Sequence, residues 1–115
     1  MQSLGVVARL FPLVEAGQKT STIRWNETRI EPGYMRYVSD LDPAQTCVVW
    51  VTRCTDLALS DAPRFLGKEK EWPREIMLSG MREHYPPIGW HDTVQVVEHL
   101  TPEQTRLRAD FPQAD

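Results

Sequence analysis

Eight consecutive residues, Gly17-Gln18-Lys19-Thr20-Ser21-Thr22-Ile23-Arg24, bring two cations and three hydroxyls together in one short run. A hydroxyl beside a lysine has the makings of an activated nucleophile, and a cation is what a developing oxyanion or a phosphate requires. The bland alternative is a solvated turn followed by the polar face of a strand, and on residue types alone that alternative is favoured.

The elements around the run decide where it sits. Upstream, Leu10, Phe11, Leu13 and Val14 fall on one face of a short helix. Gly17 suits the left-handed position that ends such a helix without a Cβ penalty. Downstream, Thr-Ser-Thr-Ile-Arg-Trp is β-branched and aromatic and predicts the start of a strand. The run therefore belongs at a helix-to-strand junction, where backbone N–H groups lack helical partners. Residues three apart on an ideal strand face opposite sides. Lys19 and Thr22 can meet only if the chain bends near Thr20 or the lysine curls around the junction. Ser21 is the rival hydroxyl, and Arg24, on the face of Thr22, could hold a substrate carbonyl or a phosphate.

Further along, Glu31-Pro32-Gly33 is a turn signal. Tyr34–Val38 predicts a strand, and Thr46–Thr55, nearly all apolar at its centre, predicts a central one. Trp50 within it reads as core. Ser60 or Asp61 can cap a short helix carrying Phe65 and Leu66, which Gly67 ends. Pro73 begins a longer helix with Ile76, Met77, Met81 and Tyr85 on one face, stopped by Pro86 and Pro87. Asp92–Leu100 returns to a strand. Thr101-Pro102-Glu103-Gln104 matches a capping box, so a short terminal helix is expected before a frayed tail.

A chain of 115 residues suits one domain with one core. Its net charge of −3 weighs against a broad electrostatic footprint for nucleic acid, and leaves room for a small ligand or a locally basic groove. Lys19, Arg24, Arg29 and Arg36 cluster early in the chain. No apolar run is long enough to span a bilayer, and Met1 to Ala8 does not look like a signal peptide, so no membrane partner and a cytoplasmic location are expected. Cys47 and Cys54 are an odd number of residues apart, so on one regular strand they would face opposite ways and form no disulfide. Neither they nor His84, His91 and His99 show metal-site spacing, so no metal and no cofactor are expected.

Taken together, the helix, the Gly-x-Lys-Thr-x-Thr-Ile-Arg run, the Pro-Gly turn and the following strands resemble the ASCH domain family of the PUA-like superfamily. Within it, the chain looks like the small bacterial N4-acetylcytidine amidohydrolases. The resemblance spans roughly Leu10 to Leu100 in element order and is sharp over the octapeptide. It implies an α+β fold, a small PUA-like β-barrel of about five to six strands with two or three helices packed around it. Residues 1–100 would form the ASCH domain, and 101–115 a C-terminal extension.

The resemblance also implies a catalytic set of a lysine, a threonine three residues later and a glutamate ahead of the long helix. The first two fall on Lys19 and Thr22. The third falls on Glu69, with Glu71 as the alternative; Ser21 and Arg24 are the substrate-binding candidates. The expected partner is a modified nucleoside or RNA. Amide hydrolysis adds a condition, because a lysine at its reference pKa of ~10.4 is protonated at neutral pH and cannot serve as base. Either burial or a neighbouring cation such as Arg24 brings that pKa close to neutrality, or a carboxylate activates the nucleophile while Lys19 stays charged and stabilises the oxyanion. Trp25, Tyr34, Tyr37, Trp72 and Trp90 are candidates to stack on a base, although for any one of them core packing is the commoner role. Three functions compete for the run: amidohydrolase on an acylated cytidine, RNA-binding module, and ribonuclease.

Overall fold

The computed structural model describes residues Met1 to Pro112; the end of the expected frayed tail, 113–115, lies outside the described residues. The elements are β1 (Gln2–Val6), α1 (Phe11–Glu15), β2 (Ser21–Arg24), β3 (Gly33–Ser39), β4 (Thr46–Ala58), a 3-10 turn (Leu59–Asp61), α2 (Ala62–Phe65), α3 (Arg74–His84), β5 (Thr93–His99) and α4 (Pro102–Arg106). The fold is α+β. The five strands form one sheet in the order β1-β3-β4-β5-β2, with the apolar strand β4 in the middle as its composition predicts. Strand β1 runs parallel to β3, pairing Leu4 with Tyr37, and β3 runs antiparallel to β4, pairing Met35 with Val49.

Contacts divide the described chain into two units. The first holds residues 1–22, 30–54 and Val97 onward, and the second holds 23–29 and 55–96. Each has its own apolar cluster, a correction to the single core expected. In the first, Leu4, Val6, Phe11, Met35, Val49 and Val51 are among the buried members. In the second, Leu59, Met77, Met81, Ile88, Val94 and Val96 are buried, with Trp25, Trp72 and Trp90 packed around them. The segment between β4 and β5 carries enough large apolar side chains to build a cluster of its own.

Within the first unit Trp50 is half-buried rather than core. Val49 and Val51 are fully buried, and the period of two along a strand turns Trp50 to the other face. There the Arg108 guanidinium lies 3.4 Å from its ring centroid and Tyr34 meets it edge-on at 4.7 Å. Alternation slips where Thr52 and Arg53 are both exposed, so Cys54 packs against the same cluster as Cys47, not on the opposite face. Both cysteines are free. The capping box is formed in full: Thr101 Oγ1 accepts from Gln104 N at 3.0 Å, and Gln104 Oε1 accepts from Thr101 N at 3.0 Å. Beyond α4, the Tyr34 hydroxyl donates to Asp110 at 2.8 Å.

In the second unit, α3 buries Met77 and Met81, four residues apart, while Ile76 is 59% exposed and lies off the expected face. Asp61 occupies the cap position of α2 but accepts no backbone N–H; its carboxylate faces Arg64 at 3.5 Å. Gly67, at φ +68°, ends that helix as expected. Among the described residues no helix is long and apolar enough to cross a membrane.

Candidate functional site

The octapeptide occupies the junction its residue types predict. Gly17, at φ +77°, closes α1, and the N–H groups of Gln18 and Lys19 both donate to the Leu13 carbonyl, at 2.9 and 3.1 Å. Those two bonds turn the chain out of the helix and set Lys19 ahead of β2. The lysine then curls around the junction, its Nζ donating to the Ser21 carbonyl at 2.5 Å. Thr22, on β2, is only 5% exposed. Ser21 is half-buried, and it is its carbonyl that takes the lysine's proton donor.

Two residues not assigned to the site from sequence share this part of the first unit. His99, at the end of β5, donates its backbone N–H to Thr20 O at 3.0 Å, which ties it to the junction. Its Nδ1 lies 2.8 Å from the Leu100 carbonyl. A carbonyl can only accept, so Nδ1 carries the proton and Nε2 is the acceptor. The Tyr37 hydroxyl, 2.8 Å away and fully buried, therefore donates to Nε2. Burial pushes the His99 pKa down; the Leu100 carbonyl opposes this, and the nearby Lys19 charge adds to the lowering. The result is a neutral imidazole beside a cation. Tyr37, a stacking candidate from its residue type, is instead packed in the core, the commoner role for an aromatic. The signal that points to His99 is its place two residues after buried Val97, on the same strand face.

The remaining predicted residues belong to the second unit. Arg24, its side chain 14% exposed, faces Glu27 at 3.6 Å. Glu69 and Glu71 are exposed. Glu69 lines a cavity of about 240 Å³ with Asp61, Arg64, Trp72, Arg74 and Trp90. The Arg74 guanidinium sits 5.7 Å from the Trp90 ring centroid. Among the described residues no three His, Cys, Asp or Glu side chains converge as metal ligands.

Comparison with solved structures assigns the fold. Over 97% of this chain and 85% of the other, it superposes on a tyrosine-to-phenylalanine mutant of ZmASCH from Zymomonas mobilis, with a TM-score of 0.65 at 8% identity. The fold is ASCH-like. A serine-to-alanine mutant of the same protein matches over 97% of this chain and 83% of that one, with a TM-score of 0.62 at 9% identity. No protein-family model matches the chain, and no curated protein does. The ASCH-like fold is thus shared where the sequence is not.

Proposed function

We propose that this protein is an amidohydrolase that removes the acetyl group from N4-acetylcytidine or a related acylated nucleoside. The single observation carrying the reading is the Lys19 amine, folded back to within 2.5 Å of the Ser21 carbonyl, one residue before the buried hydroxyl-bearing Thr22. The Ser21 carbonyl accepts from the Lys19 amine, which holds that amine as a donor. That favours the second of the two divisions of labour: Lys19 as the cation that stabilises the oxyanion.

In this reading the Thr22 hydroxyl attacks the acyl carbonyl, and its proton passes to a carboxylate and on to the departing exocyclic nitrogen. Water then cleaves the acyl-threonine ester, releasing acetate and restoring the hydroxyl. The resemblance implies Glu69 as the carboxylate, and Ser21 and Arg24 as substrate-binding residues. A charged donor aimed at an oxyanion in a water-poor site contributes about 10²–10³ in rate.

The test is release of acetate and cytidine from N4-acetylcytidine by the purified protein, with Lys19→Met, Thr22→Val and Glu69→Gln alongside. Turnover abolished by the first two supports the reading, and loss in Glu69→Gln supports the acid. No turnover, with single-stranded RNA bound in a steeply salt-dependent manner, would make the protein an RNA-binding module instead.

A further inference from the structure

Helix α3 turns Met77 and Met81 into the apolar cluster of its unit, and its far side carries a second pattern. Glu75, Leu78, Ser79 and Arg82, with Arg74 and Glu83, line an open groove of about 480 Å³ along it. Glu75 and Arg82 stand seven residues apart, about two helical turns, so they share one stripe. Leu78 and Ser79 fall between them, one on either side of that stripe. Leu78 is half-buried, and Ile76, three residues before Ser79, is 59% exposed, so apolar surface lies beside the charges.

Neither charge is matched within its own helix. Three and four residues on from Glu75 are Leu78 and Ser79, and the same two precede Arg82 by four and three, so no opposite charge stands at helical spacing inside α3. Glu75 is exposed and, among the described residues, takes part in no ion pair. Arg82 donates Nε to the Ile88 carbonyl at 3.0 Å, which fixes the guanidinium beside the helix and leaves its other N–H groups as donors.

We infer that this face of α3 is the interface of a homodimer, two copies of the chain packed antiparallel through Glu75, Leu78, Ser79 and Arg82. The order of the charges selects that occupant. The midpoint of Glu75 and Arg82 falls between Leu78 and Ser79, so a two-fold axis through it sets each Glu75 against the partner's Arg82. Leu78 and Ser79 each meet their own counterpart across the axis, and the short serine side chain lets the backbones approach. A parallel pairing would oppose like charges. The face is thus its own complement, and any other chain would have to carry the same pattern. A helix of 11 residues is about 16 Å long, so the contact is small and the dimer dissociates readily.

Sedimentation velocity from ~1 µM to ~1 mM protein tests it. The expected result is a concentration-dependent passage from monomer to dimer, weakened about tenfold or more by Glu75→Arg or by Arg82→Glu, each of which opposes like charges twice. Both substitutions in one chain restore the pairs and should restore the dimer. Mixing the two single variants in equal amounts should do the same, because each supplies the charge the other lacks. Ser79→Arg changes an exposed residue, sets like charges across the axis and should abolish association with unchanged circular dichroism; it decides the matter alone if a charge reversal unfolds the chain. A protein still monomeric at ~1 mM, a dimer indifferent to Ser79→Arg or to both reversals, or reversals that do not rescue each other would overturn the inference.

Discussion

Tyr37 donates its phenolic proton to Nε2 of His99 across 2.8 Å, in a part of the first unit where both side chains are buried. Burial holds the His99 pKa below 6.5 in the folded protein, whereas the unfolded chain protonates near that value. Between the two pKa values the unfolded state binds the extra proton, so stability is complete above about pH 6.5 and falls as the pH drops toward the folded pKa. Thermal unfolding from pH 8 to pH 5 should show this loss, and His99→Gln should flatten it. Tyr37→Phe leaves Nε2 without its donor and should cost about 1–3 kcal/mol. A midpoint in Tyr37→Phe equal to the parent's would show that the bond contributes nothing.

Lys19→Met should lower kcat on N4-acetylcytidine by about 10²–10³ with a smaller change in KM, because the lost interaction develops in the transition state. Lys19→Arg keeps the charge and should recover part of the rate. Thr22→Ser should retain activity where Thr22→Val does not, since only the serine supplies a hydroxyl. Steady-state kinetics on the four variants decide it, and equal rates for Thr22→Val and the parent would remove Thr22 from the chemistry.

Gly17→Ala should destabilise by more than Gly67→Ala. Both glycines have positive φ, at +77° and +68°, where a Cβ costs about 1–2 kcal/mol. Only at Gly17 does that Cβ also come within 3.0 Å of Thr101 Cγ2; at Gly67 nothing lies within 4 Å. Urea denaturation measures the difference. Turnover should fall in Gly17→Ala alone, because the turn that directs Lys19 starts there.

Arg108→Ala should lower stability by about 0.5–2 kcal/mol, the value of a guanidinium stacked on an indole. Arg108 Nε also faces Asp110 at 3.3 Å, in ion-pair range but not aligned as a hydrogen bond. The stacking is therefore the larger loss, and Asp110→Asn should cost less than Arg108→Ala in the same denaturation experiment.

The helix stop at Gly17, the strand after it, the central place of β4 and the capping box at Thr101 could all be read from local chemistry. Each depends on a residue whose own backbone or side chain enforces the structure: a left-handed glycine, β-branched side chains, a hydroxyl three residues ahead of an amide. Strand β1 could not be read this way. Gln2-Ser-Leu-Gly-Val carries only Leu4 and Val6 as an alternating apolar pair, and its parallel partner β3 begins some thirty residues later, at Gly33. Nor could the exposure of Ile76 or the second apolar cluster, which depend on what packs opposite.

The sequence by itself determined the order of elements from α1 onward and the position of Lys19 and Thr22 at a junction, because short-range backbone preferences suffice for both. Only the tertiary structure decided what surrounds them. Tyr37 and His99 are 62 residues apart and meet through the sheet, and the direction of the Lys19 amine is set by a carbonyl that no residue type announces. Hydrogen-bond partners distant in the chain are chosen by packing, and packing is a property of the whole fold rather than of any eight residues within it.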